Sequence, residues 1–257
     1  MQEINEEENT LMKCHNCGAE QNVDYKFCNK CGSQNINAFK KKLKRDEVYN
    51  NNLKYLARYT FILIALLIIS SFTGEGFHLF VIWTICFAII DMIFAVIQPD
   101  VWSLFNVRAI KLKPLLAIVS IALFSAFFVH FTIERLNLFL DLETYSYDKL
   151  FSGLEYSLLY AIVLLAVFPA IFEELAFRGF VFNNLKKLAG TKSAVWGSSF
   201  LFALVHFSLL SLYWLLPFGL ILAYFRNRYN TIIYGIIGHF IHNSTVTLLD
   251  HFQVFQI

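Results

Sequence analysis

The sequence is poor in charge, proline and glycine. Of its 257 residues only 16% are charged, 4 are Pro and 11 are Gly. So little Pro and Gly excludes a collagen-like chain, and so little charge beside so much apolar residue excludes disorder for the chain as a whole. A single soluble domain is excluded as well. Globular proteins carry about 25% charged residues, whereas this chain is 57% hydrophobic with a mean hydropathy of +0.55, and could not cover its own surface with polar groups. An excess of one sign of charge is also missing. The net charge of +2 implies no acidic partner, and nothing argues for nucleic acid. The apolar segment that follows the polar head does not read as a secretory leader either. Such a leader opens on a short basic run and an apolar stretch, and here a long polar segment comes first.

The charge that is present is unevenly placed. Residues 1–58 hold 18 of the 40 charged residues, and residues 59–257 hold 22. The chain reads as a polar head on a membrane body: a small module over 1–35, a basic linker over 36–56 and an all-α transmembrane domain over 57–257.

Four of the five cysteines lie in the head, as Cys14-x-x-Cys17 and Cys28-x-x-Cys31, each pair followed at once by a glycine, Gly18 and Gly32. Two such knuckles suit a structural Zn²⁺, which takes four tetrahedral ligands and binds thiolate strongly. The rivals are two disulfides, which need an oxidising compartment, and a redox Cys-x-x-Cys, which comes with a βαβ pattern that is missing here. His15 is a spectator in this reading. The stretch resembles the short zinc ribbons at the ends of many bacterial membrane proteins, which are structural modules; a cytosolic protein partner is one use for it. The fifth cysteine, Cys86, is a small residue in an apolar segment. Lys40, Lys41, Lys42, Lys44 and Arg45 precede the first apolar run, as contacts for anionic lipid head groups or as a topology signal.

A hydrocarbon core about 30 Å thick needs about 20 helical residues. On that measure the sequence predicts seven spans, at 57–73, 77–97, 114–133, 154–172 with a continuation to 186, 193–210, 211–226 and 231–250. Arg108, Lys111, Lys113, Lys186, Lys187, Lys192, Arg226 and Arg228 then fall on one side. Arg135 and Lys149, diluted by Glu134, Asp141, Glu143 and Asp148, fall on the other. The positive-inside rule thus predicts a cytosolic N-terminus.

Ionisable groups within apolar spans are costly and therefore functional candidates. On a helix, Glu174 and Arg178 are four apart and share a face. Glu173 points about 100° away and lacks that counter-charge. A buried carboxylate without one holds its proton more tightly, which suits a general base near neutral pH. One interhelical ion cluster of all three is the structural alternative. Phe202 and His206 share a helix face, as do His239 and Asn243. Measured from the inner turns, Glu173 and His206 lie about 20 Å deep and Asn243 about 18 Å, with His239 one turn shallower. Asp91 stands alone in the second span, His242 projects away from Asn243, and His130, Glu155 and His251 lie near span ends.

Glu173-Glu174-x-x-x-Arg178, then Phe202-x-x-x-His206, then His239-x-x-x-Asn243, in this order on successive membrane helices, resembles the CPBP family. These are the CAAX protease and bacteriocin-processing (Abi) intramembrane peptidases, relatives of the type II CAAX prenyl endopeptidase. The resemblance covers roughly 150–250 and implies hydrolysis of a peptide bond in a membrane-anchored protein or peptide. It implies that Glu173 and His206 activate a water, that His239 and Asn243 stabilise the oxyanion, and that Glu174 and Arg178 hold the helix. It leaves a metal at this site open. Two histidines and a carboxylate can bind Zn²⁺, but no His-Glu-x-x-His is present and a metal-free, glutamate-activated water is preferred. The alternative functions are a non-catalytic immunity or scaffold protein with the same motifs, and a transporter, for which no internal repeat is evident.

Overall fold

The structure, a computed structural model, describes residues 11–22, 26–74, 76–140, 148–151, 153–206 and 210–252; within these, the side chains of 36–42 and 148–149 are outside the description. Lys40, Lys41, Lys42, Asp141, Glu143, Asp148 and Lys149 therefore lie outside the described side chains. The chain divides into two compact units, 1–54 and 55–257.

In the first unit, β1 (Leu11–Lys13) and β2 (Glu20–Asn22) form an antiparallel hairpin with Met12 opposite Gln21. The turn between them is the first cysteine knuckle. Cys14 N–H donates to Ala19 O, and Gly18 N–H returns to Cys14 O, both at 2.8 Å. The second knuckle repeats the pattern, with Cys28 N–H to Ser33 O at 2.8 Å and Gly32 N–H to Cys28 O at 2.9 Å. Gly18 and Gly32 sit at φ 69° and 68°, the left-handed region that only glycine enters freely. That is why each knuckle carries one just after its second cysteine.

Helix α1 (Ile36–Ser71) continues into the second unit. It is followed by α2 (Phe77–Ile97), two 3₁₀ turns over Pro99–Ala109, α3 (Leu112–Leu140), α4 (Asp148–Phe151) and α5 (Ser157–Ile162). Then come α6 (Phe168–Glu173), α7 (Phe182–Leu204), α8 (Leu212–Tyr229) and α9 (Ile233–His251). Between α5 and α6, and again between α6 and α7, the helix widens to π-helical turns at Val163–Val167 and Glu174–Val181. Gly190, at φ 82° and ψ 178°, breaks α7 at the inner turn expected between Lys187 and Lys192.

Among the described residues four helical stretches are long and apolar enough to cross a membrane: Leu43–Ser71, Phe77–Ile97, Leu112–Leu140 and Ser157–Leu204. This corrects the expectation of seven spans. The fourth expected span and most of the fifth fall within one apolar stretch, Ser157–Leu204, which passes through both widened turns and is interrupted at Gly190. Helices α8 and α9 are long enough but too polar. The first ends in Arg226 and Arg228, and the second carries His239, His242 and Asn243. The all-α membrane body stands, and the protein is a membrane protein.

The body packs around a core drawn largely from α1, α2, the widened turn at Glu174–Val181 and α7, whose aromatic members are Tyr59, Phe94, Phe177, Phe180 and Phe202. A second cluster ties α3, α8 and α9 through Ile118, Phe218, Leu222 and Tyr234. Many large apolar side chains on α1, α2 and α3 stay exposed, Phe61 and Phe124 at 74% among them. Lipid, with no water to exclude them from, is the medium that explains such faces.

Candidate active site

The head gathers its four cysteines. The Sγ atoms of Cys14, Cys17, Cys28 and Cys31 all lie within 4.8 Å of one another, and none is in a disulfide. Cys14 and Cys31 are 3.7 Å apart, Cys17 and Cys28 3.6 Å. A tetrahedron of Zn–S bonds about 2.3 Å long has edges near 3.8 Å, so the spacing fits a thiolate-bound ion. The thiols are already biased unequally. The Ser33 hydroxyl, 3.0 Å from Cys31 Sγ, with the Ser33 backbone brings that thiol down to about 5. Ser33 also lowers Cys14, with help from backbone N–H groups. Cys17 moves the other way. The Ala19 backbone lowers it, but hydrogen bonding with Cys31, desolvation and the other two thiols prevail and push it up to about 12. Four sulfurs this close cannot all ionise without a cation, and a divalent cation removes that conflict. The set can bind a metal ion.

In the body, three of the helical motifs converge on one cavity of about 490 Å³. Glu173 at the end of α6, His206 just past the end of α7, and His239 and Asn243 on α9 all line it. Glu174 and Arg178 do not. They are fully buried and pair at 2.8 Å (Oε1 to Nη1). The Arg178 guanidinium lies 4.2 Å over the Phe202 ring, and its Nη2 donates to Gly219 O at 3.2 Å. Phe202, the first residue of the second motif, thus packs on Arg178 and also lines the cavity. The two adjacent glutamates point to different neighbours, as their 100° separation requires.

His239 stands between them. Its Nδ1 is 3.4 Å from Glu174 Oε1 and its Nε2 is 3.9 Å from Glu173 Oε2, without a hydrogen bond at Glu173 Oε2 or at its own Nδ1. The imidazole is also edge-on to Phe202 at 5.7 Å. Space for Glu174 is made by Gly235, one turn before His239. A Cβ at Gly235 would collide with Glu174 Oε2.

His206 is not within a helix, as its motif suggests, but in the turn that follows α7. Its Nδ1 is 2.8 Å from Phe202 O. A carbonyl only accepts, so Nδ1 carries the hydrogen and Nε2 keeps its lone pair. Asn243 Nδ2 donates to Leu165 O at 2.9 Å. Pro169, four residues after Leu165, has no N–H to offer that carbonyl, and Asn243 supplies one from the opposite helix. One amide hydrogen of Asn243 remains.

Three further groups belong to the site's surroundings. Tyr59 on α1 donates to Asp91 Oδ1 at 2.9 Å, and both line the cavity. Tyr59 left no signal, being an aromatic residue in an apolar run. Arg226, counted above among the inner loop charges, is only 4% exposed. Its Nε donates to Arg178 O at 3.0 Å and its Nη2 to Asn183 Oδ1 at 2.9 Å. His130 is buried, with Glu134 at 3.4 Å and Asp250 at 3.3 Å from its two ring nitrogens.

Residues 155–245 match the family described as type II CAAX prenyl endopeptidase, Rce1-like. The matched segment contains every residue of the three motifs and agrees with the CPBP resemblance they carry. No curated protein and no solved structure matches the chain.

Proposed function

We propose that the segment matching the type II CAAX prenyl endopeptidases makes this protein an intramembrane endopeptidase. Its substrate is a membrane-anchored protein or peptide. The observation that carries the reading is the convergence of Glu173, His206, His239 and Asn243 on one cavity walled mainly by apolar side chains.

Glu173 is the general base. Its Oε2 is buried without a hydrogen-bond partner, the state of a group that awaits a ligand. His206, with Nδ1–H engaged by Phe202 O, offers Nε2 as a second acceptor. Water held by both loses a proton as its oxygen adds to the scissile carbonyl carbon. His239 and the remaining amide hydrogen of Asn243 are the donors for the oxyanion, and a dry cavity strengthens them. Glu174 and Arg178 neutralise each other behind Phe202 and orient His239.

The water is activated without metal in this reading. What supports it is that the sequence carries no His-Glu-x-x-His helix, the usual ligand pair of a zinc peptidase. In the head, Cys14, Cys17, Cys28 and Cys31 would hold a Zn²⁺, which would cross-link a module too small to hold itself together by packing. The protein spans a bacterial plasma membrane with its N-terminus in the cytosol, in contact with lipid and available to a cytosolic partner through the ribbon.

The test is comparative membrane proteomics of cells carrying wild type, Glu173→Ala or His206→Ala, with expression and folding checked. Accumulation of the same uncleaved membrane protein in both variants is the expected result. Unchanged processing in both refutes the assignment and favours the scaffold alternative.

A further inference from the structure

Asp91 is a carboxyl group of the membrane body that the three motifs leave unused. It lies within α2, is 4% exposed and lines the same cavity as Glu173 and His206. A carboxyl group at such a position is expensive and is kept where it works. It accepts a hydrogen bond from Tyr59, whose Oη donates to Oδ1 at 2.9 Å. Tyr59 is itself fully buried, with its ring fixed against Phe94 at 5.2 Å and Phe180 at 5.3 Å. The hydroxyl therefore has a set direction. No ion pair reaches Asp91 among the described residues. The arginine of the motifs, Arg178, is paired with Glu174.

Tyr59 from α1 is hydrogen-bonded to Asp91, and the same cavity is lined by Glu173 from α6, a helix that packs on α2, and by His206, His239 and His242. A carboxylate there is penalised by desolvation and by the second acid in the same apolar cavity. As a neutral acid Asp91 meets neither penalty. Its Oδ1 accepts from Tyr59, and its other oxygen carries a hydrogen that is free to donate.

Peptide hydrolysis requires such a donor. When Glu173 takes a proton from water and the water oxygen adds to the carbonyl, the C–N bond still breaks only as its nitrogen is protonated. We infer that Asp91, oriented by Tyr59, is that proton donor to the departing amine. The inference rests on Glu173 being the base. The step balances. Water oxygen joins the acyl carbon, the C–N bond breaks, Glu173 gains the proton that water lost, and Asp91 loses the proton that the amine gains. Transfer from Glu173 back to Asp91, through water in the cavity, restores both.

The experiment uses the full chain in liposomes and two probes that share one acyl part, N-acetyl-S-farnesylcysteine. One is joined to a tripeptide by an amide, the other to 4-nitrophenol by an ester, whose leaving group departs without a proton. Asp91→Asn, which keeps a carbonyl for Tyr59, is expected to lower amide cleavage by about 10²–10⁴-fold and ester cleavage by less than about threefold. Tyr59→Phe is expected to lower amide cleavage alone, to a smaller degree. Equal losses on both probes in Asp91→Asn mean a structural role and overturn the proposal. Glu173→Gln is expected to lose both probes, and full activity there overturns the base reading instead. A readout without turnover comes from infrared difference spectra at neutral pH. Wild type must show a protonated-carboxyl C=O band that Asp91→Asn removes and Tyr59→Phe shifts. Lack of any band that depends on Asp91 overturns the proposal whatever the probes do.

Discussion

The head and the body each assemble a set of polar side chains, and they do so by opposite means. The head draws Cys14, Cys17, Cys28 and Cys31 from 18 consecutive residues and gathers them with two copies of one local turn. The body draws Asp91, Glu173, His206, His239 and Asn243 from four places far apart in the chain and gathers them by helix packing. A local site depends on backbone conformation and its ligand. A distributed site depends on every interface between its elements. The two are therefore expected to fail differently.

The largest effect is expected in the head. Structural zinc contributes about 10–16 kcal/mol of binding free energy at pH 7, more than so small a module holds by packing. Cys28→Ser is expected to abolish the bound metal by elemental analysis and to unfold the module, while the thermal transition of the body stays in place. Because the ligands are thiolates, lowering the pH returns protons to sulfur and releases the metal. In the metal-free set Cys17, at about 12, takes its proton first and Cys31, at about 5, last. Metal content that does not fall at all as the pH is lowered would contradict thiolate ligation.

In the body, Glu173→Gln is expected to lower kcat by about 10²–10⁴-fold, the usual worth of a general base, with the melting temperature unchanged or raised. Glu174 gives the contrast, although it is the next residue. Arg178→Met leaves Glu174 buried without its guanidinium, with only His239 nearby, at a cost of about 3–5 kcal/mol, read as loss of thermal stability in detergent. Glu174→Gln in the same chain is expected to recover much of that stability. If Glu173→Gln destabilises as strongly as Arg178→Met, the division between a cavity-facing and a buried glutamate is wrong.

The smallest effect concerns Asn243. Asn243→Ala removes the donor to Leu165 O and is expected to cost about 1–3 kcal/mol of stability, on top of any loss of turnover. Pro169→Ala restores an N–H at the facing helix and is expected to relieve part of the stability cost while leaving the turnover loss as it is. Recovery of turnover together with stability would show that Asn243 serves the helix only.

The zinc-ribbon spacing was legible in the sequence because the chemistry and the geometry are both local. Cys-x-x-Cys-Gly already specifies a turn, and two such turns specify four ligands. The three helical motifs were legible as motifs, and the separation of Glu173 from Glu174 followed from the 100° step between neighbours on a helix. Span counting fared worse. Hydropathy is a sum over residues; α8 ends in Arg226 and Arg228, and α9 carries His239, His242 and Asn243, so the polar side chains that line the cavity also make α9 a poor span by composition. Arg226 illustrates the same limit. Its charge suggested an inner loop, yet it is buried against the Arg178 carbonyl, a partner 48 residues away.

By itself the sequence determined the low charge fraction, the split into polar head and apolar body, the four-cysteine ligand set and the residues of the three motifs. Each of these is a matter of composition or of spacing within one element. Only the tertiary structure decided that Glu174 and Arg178 are sealed behind Phe202 while Glu173 faces a cavity. It alone brought Tyr59 and Asp91 to that cavity, and it alone gave Asn243 a carbonyl bereft of its usual donor. Those facts depend on which helix packs against which. No spacing along the chain encodes that, because helix packing joins residues whose separation in sequence is arbitrary.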